Sequence, residues 1–563
     1  MNTAKWALLS QQSAIEVTGQ NIANVANPDY NRQEVQMQAS YPVSTGRLTV
    51  GTGVMIKTID RKFDQFAFDQ TLESNFTMEK WRAREGLMDR LDIIFNETGD
   101  TGLTTMMSDF FQGFYNVSMN PEGATERRDL VERATTMTLQ MNRMSDELKK
   151  MQGSMDMKIK SGVEHINRIA GEIVTLNKQI HETESGDNQA NDFRDMRDAL
   201  LVDLSTYMDV TNFEQSNNQL VVMFNDGRPL VVGESAYTLD TKTNPNDPSV
   251  LDILWNDSSG GQISITDEFS GGKTSAWVEL RDVDIENFLH KLDVLAGTMV
   301  RDINRLHASG YGLDGSTGNN FFSALQPNGT AELGNTGTGT LSAGTVLNPE
   351  IMELDRFRLT FDGAGNYSVY NEDKASASGT YTYTAGSNLS FFQQRGIQIG
   401  ISGAPATGDI FHISGVENAA SNFSVSQAID SNTNLLAAGL STVGGDGRQA
   451  TNIANLQHMK TIGGSFSGAG APDGVYASSG IFTFDDYIGA VVGEVGASTL
   501  QARNSRHLAE SVSAQVMNLR EQISGVSIDE EMVNLIKFQH AYSAAAKMIT
   551  VVDEMLQTLL QIK

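Results

Sequence analysis

The stretch that decides the fold is Ser527–Lys563, which reads SIDEEMVNLIKFQHAYSAAAKMITVVDEMLQTLLQIK. A strict seven-residue repeat of apolar side chains is typical of a helix that packs along another helix with a left-handed supercoil. This stretch has that repeat, because its apolar residues step by three and four at Leu535, Phe538, Tyr542, Ala545, Ile549, Val552, Leu556 and Leu559. Ser527 and Glu530 have the spacing of a capping box, which predicts that the helix begins there.

A weaker version of the same rhythm lies near the other end of the chain. It includes two polar residues where apolar ones would pack better, and it runs through Met1, Ala4, Leu8, Gln11, Ile15, Thr18, Ile22 and Val25. Because most helical stability comes from packing an apolar face, we expect neither terminal helix to be stable alone. The spacing fits a hairpin that closes one domain as well as a bundle shared between neighbouring subunits.

Two segments at the ends of the chain carry more information than the spacing. Residues 21–33 read NIANVANPDYNRQ, and residues 524–549 read SGVSIDEEMVNLIKFQHAYSAAAKMI. They resemble the N-terminal and C-terminal signatures of the bacterial flagellar axial proteins, the family of rod, hook and hook-associated proteins. One departure is Asp29, where the family usually has Gly; we interpret it as a substitution within a turn with positive φ, which Asp tolerates.

Two internal segments are similar to the hook-associated subgroup of that family. One is Asn191–Ser205, NDFRDMRDALLVDLS, and the other extends from Arg281 to Phe322. Judged from the residues alone, the alternating acids and bases of Asn191–Ser205 favour a capped helix with solvated charges. The longest helix is predicted over Thr125–Glu184, where we interpret a stripe of methionines as ordinary core.

Two β-rich segments interrupt this helical pattern. The first begins at Asp209, with short apolar runs between Asn, Asp, Gly and Pro. The second, Pro327–Gln449, is rich in Gly, Ser, Thr and Asn, and it has hairpin signals at Asp362-Gly363 and within Gly400–Ile413. Its low aliphatic content favours a surface-exposed module with many loops.

The predicted fold class is therefore α+β and multidomain. A discontinuous helical shaft, of coiled-coil or bundle type, carries inserted β-rich outer domains. The predicted domains are a terminal helical axial domain (1–38 and 525–563), a helical shaft domain (39–208, 281–322 and 450–524), a first β-rich domain (209–280) and a second β-rich outer domain (323–449).

Composition excludes several function classes. The 563 residues carry a net charge of −28, which repels phosphate backbones and argues against a nucleic-acid partner. Cys is absent, so disulfides and thiol chemistry are excluded. We expect no membrane span and no cleaved signal peptide, which taken alone favours a cytoplasmic protein. The family resemblance implies instead that the protein is secreted through the flagellar type III export channel.

Catalytic motifs are missing from the sequence. The eight histidines share no metal-ligand spacing. Gly272-Lys273-Thr274 imitates the end of a P-loop, but Asp267 stands where the first glycine would be. Paired carboxylates of a hydrolase are recognised in space rather than in sequence, so that alternative stays open as the minor one. We predict no enzyme, no catalytic residue, no cofactor and no metal site.

The resemblance implies a structural part of the flagellum that joins hook to filament and polymerises through its terminal helices. It implies as partners other copies in a ring, the hook protein, the second hook–filament junction protein and a cytoplasmic export chaperone on the C-terminal helix. Alternatives are a rod or hook protein, or a secreted adhesin with a helical stalk. The predicted subunit-packing residues are Leu8, Ile15, Asn21, Ile22, Asn24, Tyr30, Leu535, Phe538, Tyr542, Ala545, Ile549, Val552, Leu556 and Leu559.

Overall fold

The computed structural model describes residues 2–45, 48–95, 102–186, 188–244, 249–257, 259–332, 334–463, 466–467, 477–478 and 480–561. Met1 and Lys563, at the ends of the predicted stripes, lie outside the described residues. The helices are α1 (Asn2–Ala23), α2 (Gln65–Ile94), α3 (Leu103–Met119), α4 (Ala124–Glu184), α5 (Asn191–Tyr207), α6 (Gly272–Glu279), α7 (Ile285–Ser309), α8 (Ser390–Gln393), α9 (Gln427–Ser431), α10 (Arg448–Asn455), α11 (Phe484–Ser524) and α12 (Ile528–Gln561).

Strands fall into three groups along the chain. Near the N-terminus lie β1 (Gln33–Ala39), β2 (Val43–Thr45), β3 (Leu48–Val50) and β4 (Val54–Arg61). Between α5 and α6 lie β5 (Thr211–Glu214), β6 (Leu220–Met223), β7 (Pro229–Val232), β8 (Ser235–Ala236), β9 (Leu239–Thr243), β10 (Leu251–Asn256) and β11 (Gln262–Ser264). After α7 lie β12 (Asn328–Ala331), β13 (Thr340–Leu341), β14 (Thr345–Val346), β15 (Arg356–Asp362), β16 (Asn366–Asn371), β17 (Ser376–Thr382), β18 (Ser387–Asn388), β19 (Ile397–Gln398), β20 (Gly400–Ser402), β21 (Thr407–Ser414), β22 (Phe466–Ser467) and β23 (Ala477–Ser478). The predicted α+β class is confirmed.

The helix α4 is the backbone of the shaft and confirms the predicted long helix. Its 61 residues continue through Gly153, Gly162 and Gly171 without a break. A Cβ at Gly162 would lie 2.9 Å from Cζ3 of Trp277, so close packing against α6 requires glycine there. The predicted methionine core is confirmed, because these side chains are buried: Met137, Met141, Met144, Met151 and Met155.

Two apolar cores lie along α4. Its N-terminal half, from Leu130 to Met155, packs into one core with α3, α7 and the second β module. Its C-terminal half, from Ile159 to Ile173, packs into another with α5 and the first β module. One helix therefore joins both modules to a single shaft.

The first β module consists of two small antiparallel sheets with strand orders β5-β6-β7-β8 and β11-β10-β9. Amide side chains of α4 hold it to the shaft. Asn167 exchanges two hydrogen bonds of 2.8 Å with the backbone of Leu239, and Asn177 donates to the carbonyl oxygens of Leu220 and Gly233. The helical chain resumes at Gly272, nine residues before position 281, where the sequence placed the shaft boundary.

The second β module has a five-stranded antiparallel sheet with the order β12-β21-β15-β16-β17. The hairpin predicted at Asp362-Gly363 is confirmed as β15–β16. The hairpin predicted within Gly400–Ile413 is wrong, because β20 pairs with β13 and β18 while β21 pairs with β12 and β15. The segment between β20 and β21 is instead tied to the loop between β12 and β13. The Asp409 carboxylate accepts the backbone N–H of Ala406 in the first and that of Thr336 in the second.

The second module has a buried core despite its low aliphatic content and its many loops. Aromatic residues supply the core that its few aliphatic residues do not, and these are fully buried: Phe357, Phe361, Tyr367, Phe391, Phe392 and Phe411. That core is continuous with the shaft core. Asn142 of α4 donates to the carbonyl oxygen of Ala420 at 2.7 Å, and Asp293 of α7 accepts the N–H of Ala420 at 2.7 Å.

The chain leaves the shaft through α11, which runs antiparallel to α2. Thr499 contacts Met88, Arg503 pairs with Asp89, and farther along α11 Glu510 pairs with Arg82. A corner at residues 525–527 then leads into α12, which packs along α1. Among the helices of the described residues, none has both the length and the apolar character needed to cross a membrane.

Candidate functional site: the terminal bundle and its anchor

The terminal bundle consists of α1, α12 and the β1–β4 ribbon. The side chain of Asn21, near the end of α1, donates to Glu531, near the start of α12, so the two helices run antiparallel. Both helices rise about 1.5 Å per residue, so the start of α1 lies opposite about residue 550 of α12. The last turns of α12 therefore extend past the start of α1.

The structure brings most of the predicted stripe residues together. Leu8, Ile15 and Ile22 on α1 are half-buried. On α12, Ala545 is buried, and these predicted residues are half-buried: Leu535, Phe538, Tyr542, Ile549 and Val552. The two stripes thus cover each other in one chain. Their role in packing between subunits stays a prediction.

Beyond the start of α1 the predicted stripe on α12 is uncovered. Leu556 is 43% exposed and Leu559 is 65% exposed. A second apolar face of α12, which the sequence analysis missed, is also exposed and includes Met532, Val533, Ile536, Met548, Val551 and Met555. The signal was present in the sequence, because α12 has apolar residues outside its heptad positions. The terminal bundle therefore has more apolar surface than one chain covers.

A polar cluster closes the base of the bundle, around the signature loop, which we define as residues 24–33. Asn21 is buried; its Oδ1 accepts from the Tyr30 hydroxyl at 2.8 Å and from the Gln33 N–H at 3.0 Å. Burial raises the pKa of Tyr30, and the nearby carboxylates of Asp195, Asp192 and Glu531 raise it further, so the hydroxyl stays a donor. The predicted residue Asn24 makes only a local bond, to the Gln20 carbonyl at 3.0 Å.

The signature loop is anchored to the shaft by buried charges of α5. Asn31 donates its side-chain amide to Asp195 at 2.6 Å, and its backbone N–H donates to the same carboxylate at 3.2 Å. Arg61, at the end of β4, bridges Asp195 at 3.0 Å and Asp198 at 2.5 Å. Burial raises the pKa of Asp195 and of Asp198, while Arg61 opposes that effect at both.

This anchor corrects the interpretation of Asn191–Ser205 as a capped, solvated helix. Asp195, Arg197 and Asp198 are all buried, and the residue before α5, Ala190, supplies no side-chain cap. The physical reason is long-range pairing: the guanidinium of Arg61 and the amide of Asn31 neutralise or bind the acids on this face. Arg197 donates to Asn177 of α4 at 3.1 Å, so the same segment also ties α5 to the shaft.

Arg32 links the signature loop to the start of α12. Its side chain pairs with Glu530 at 2.9 Å and Glu531 at 2.8 Å, and its backbone N–H donates to the Ser524 carbonyl at 2.9 Å. The predicted capping box is therefore half formed. The Glu530 N–H donates to the Ser527 hydroxyl at 3.5 Å, whereas the Glu530 carboxylate pairs with Arg32 and does not return to the Ser527 N–H. The turn at Asp29 does not use positive φ, so that expectation is wrong.

The anchor is a network of ion pairs and hydrogen bonds. Its carboxylates are paired with arginine or amide groups, and within the described ranges no three His, Asp or Glu residues come together as a metal site. The arrangement joins four segments that are distant in sequence: the end of α1, the signature loop, α5 and the start of α12. Its geometry fixes the direction of the terminal bundle relative to the shaft.

Comparison with known proteins agrees with this division into bundle and shaft. Residues 521–562 match the family model described as flagellar basal body rod FlgEFG protein C-terminal. Residues 88–322 match the model described as flagellar hook-associated protein FlgK helical domain. The first match covers α12, and the second covers α3 to α7 of the shaft with the first β module.

Full-length relatives give the same result. Flagellar hook-associated protein 1 of Escherichia coli strain K12 is 25% identical, and the alignment covers 100% of this chain and 99% of that protein. The protein of the same name from Bacillus subtilis strain 168 is 25% identical, covering 99% of this chain and 96% of that protein. The structure of the flagellar hook junction protein FlgK from Burkholderia pseudomallei shares the fold, with a TM-score of 0.69 at 19% identity, over 81% of this chain and 100% of that one.

Terminal helices paired above a helical shaft, with a rod-type C-terminal match, define the class of flagellar axial proteins. Within that class, the chain belongs to the family of flagellar hook-associated protein 1. This family is structural and not enzymatic.

Proposed function

We propose that this protein connects the hook to the filament by polymerising through α1 and α12. The family implies assembly with other flagellar axial proteins, and the terminal bundle is the part of this chain suited to it. Helical assemblies form when one surface of a subunit binds a different surface of the next copy. Subunit contacts on the two faces of the bundle would produce a ring or tube of copies.

One observation carries this proposal: α12 is longer than its partner. The helix has 34 residues and α1 has 22, and the unpartnered end exposes Met555, Leu556, Leu559 and Leu560. Exposed apolar patches of this kind on a soluble protein mark interaction sites. A second copy or another axial protein would bury them.

The same surface suits the partners that the family resemblance implies. We propose contacts with the hook protein on one side of the ring and with the second hook–filament junction protein on the other. Before export, a cytoplasmic chaperone would shield the exposed faces of α12 by holding the helix in a groove. After secretion, the terminal bundle would lose the chaperone and bind its neighbours at the hook–filament junction.

Leu556→Asp tests the proposal. A charge at this exposed site should block incorporation into flagella, while the Tm of the purified monomer stays within about 1–2 °C because the side chain makes few contacts in the monomer. Leu139→Asp is the matched control, since Leu139 is 61% exposed on α4 of the shaft. Incorporation is measured in cells that lack the wild-type protein.

Two results would contradict the proposal. Normal incorporation of Leu556→Asp would remove the end of α12 from the subunit contacts. A large loss of monomer stability would show that Leu556 is packed within one chain.

A further inference from the structure

Two methionines lie on one exposed face near the end of α12. Met548 and Met555 are each 55% exposed. They are seven residues apart, so they differ by only about 20° around the helix axis and by about 10 Å along it. Val551 and Leu559 lie within about 60° of them and are also exposed. We call these four residues the methionine face.

The methionine face is separate from the surface with which α12 packs on α1. The covered stripe residues Ala545, Ile549 and Val552 lie about 80° around the helix from the centre of this face. The two methionine side chains are therefore open to solvent in a single chain. Methionine is flexible and polarizable, which suits a surface that binds more than one neighbour.

The thioether sulfurs are the reactive groups of this face. Methionine is the only residue type of this chain that contains sulfur, because Cys is absent, so no thiol competes for an oxidant. Hydrogen peroxide transfers one oxygen atom to a thioether. The O–O bond breaks, an S–O bond forms, the sulfur loses two electrons, and the other oxygen of the peroxide leaves as water.

Exposure selects which methionines react. Met137, Met141 and Met155 of α4 have no exposed surface, so peroxide in solution does not reach them. Charge selects the oxidant. The chain carries a net charge of −28, and Asp553 and Glu554 lie between the two methionines in sequence, so a neutral peroxide approaches this face more readily than an anionic oxidant does.

Oxidation changes what the methionine face can bind. A sulfoxide is polar and accepts hydrogen bonds, whereas the thioether is apolar. Burial of a polar oxygen without a donor is unfavourable, so an oxidised face loses its tendency to be covered by an apolar surface. The change is reversible, because methionine sulfoxide reductases restore the thioether.

We propose that Met548 and Met555 are modification sites at which a peroxide converts an unassembled chain into one that cannot enter the flagellum. This inference rests on the proposed function and adds a chemical control to it. In an assembled chain a neighbour covers the face and protects the same sulfurs. Oxidation therefore acts on the free subunit and spares the finished structure.

Peroxide footprinting tests where and when the sulfurs react. The purified chain and flagella that contain it receive the same low dose of hydrogen peroxide, with N-acetylmethionine added to both as an internal standard. Mass spectrometry of peptides gives the oxidation rate at each site. In the free chain Met548 and Met555 should oxidise at least tenfold faster than Met141, and in flagella their rates should fall at least tenfold. Equal rates at Met548 and Met555 in the two samples would overturn the inference.

A conservative substitution tests whether these two sulfurs control assembly. Met548→Leu combined with Met555→Leu keeps an apolar side chain of similar volume at both sites and removes the sulfur. Treated and untreated chains are added to isolated hooks, and each variant is compared with its own untreated sample. Treatment should reduce incorporation of the unsubstituted chain at least fivefold and that of the double variant less than twofold.

Met157→Leu is the control, because Met157 is 76% exposed on α4 of the shaft. This variant should lose as much incorporation on treatment as the unsubstituted chain. Methionine sulfoxide reductase should restore incorporation of the treated chain, and the Tm of the treated monomer should stay within about 1–2 °C of the untreated value. An equal loss in the double variant, no loss in the unsubstituted chain or a larger fall in Tm would overturn the inference.

The outcomes separate this inference from the proposed function. If Leu556→Asp blocks incorporation and the double methionine variant gives no protection, the proposed function stands and the inference fails. If Leu556→Asp incorporates normally, the role of the α12 end fails, whatever the effect of peroxide.

Discussion

The helices α4 and α12 have the same seven-residue spacing and opposite surroundings. Along α4 the stripe residues Leu130, Ala134, Met137 and Met141 have no exposed surface. Along α12, of its apolar residues only Ala545 is buried. The difference teaches that heptad spacing predicts that a face will be covered, but not which chain covers it. Loop connections bring α3, α5 and α7 onto α4, whereas α12 has one short partner.

The largest expected effect comes from the anchor that joins these two regions. Arg61→Ala leaves Asp195 and Asp198 buried without their cation, so the free energy of unfolding should fall by about 3–5 kcal/mol. Urea unfolding measures the loss, and amide exchange should show faster exchange in the signature loop. Lys62→Ala is the control, because Lys62 and Glu34 form an exposed pair. Equal effects of both variants would show that Arg61 is not an anchor.

A second prediction compares matched apolar positions on the two helices. Ile169 on α4 is fully buried, so Ile169→Ala should lower the free energy of unfolding of the monomer by about 2–5 kcal/mol. Leu559 on α12 is mostly exposed, so Leu559→Ala should change it by less than about 0.5 kcal/mol. Urea titrations of the two monomers check both values. A similar loss for Leu559→Ala would abolish the contrast between the helices.

A third prediction concerns the buried carboxylate between α7 and the second β module. Burial raises the pKa of Asp293 to about 6, although the N–H groups of Ala420 and Asn418 favour its ionised form. An acid whose pKa is raised by folding stabilises the folded state less as pH increases. From about pH 4 to above pH 6 the loss should approach roughly 2–3 kcal/mol.

Carbon-13 NMR of aspartate-labelled protein measures this titration, with Asp293→Asn used to assign the signal. The comparison is Asp373 in the second module. Burial opposes its ionisation, but the hydrogen bond and charge of His290 and the Arg356 N–H outweigh it and lower the pKa to about 2. A midpoint near pH 4 for Asp293 would show that its site is open to water.

The smallest expected effect lies on the surface between α2 and α11. Arg503 pairs with Asp89 at 2.7 Å, but both side chains are more than two-fifths exposed. Arg503→Ala should therefore leave the urea midpoint of unfolding nearly unchanged, and added salt should reduce even the small loss that remains. A larger cost would mean that the α2–α11 contact depends on charge rather than on its apolar face.

Local patterns in the sequence predicted much of this architecture. Heptad spacing located α4 and α12 to within a few residues, and Asp362-Gly363 located the β15–β16 turn. The signature residues Asn21 and Tyr30 both lie in the polar cluster at the base of the bundle, and their predicted role in packing between subunits stays a prediction. In each case the deciding interaction is between residues close in sequence, or the residue type itself is distinctive.

Long-range pairing is what the sequence did not reveal. The sequence around Asp195 is typical of a solvated charge, because the partners that bury it, Arg61 and Asn31, lie more than a hundred residues away in the chain. The core of the second module was not predicted because it is aromatic rather than aliphatic, as at Phe357 and Phe391. The exposed second face of α12 was missed because heptad counting assigns each helix a single stripe.

The unequal lengths of the terminal helices give the molecule a direction. With 34 residues in α12 and 22 in α1, one end of the pair projects by about 12 residues, or roughly 18 Å, and the other end is blunt. Related by a twofold axis, two copies would meet projection to projection or blunt end to blunt end. If each copy is instead related to the next by the same rotation and translation, every projecting α12 end contacts the same surface of the next copy. A stack of such copies is therefore polar, with two different ends.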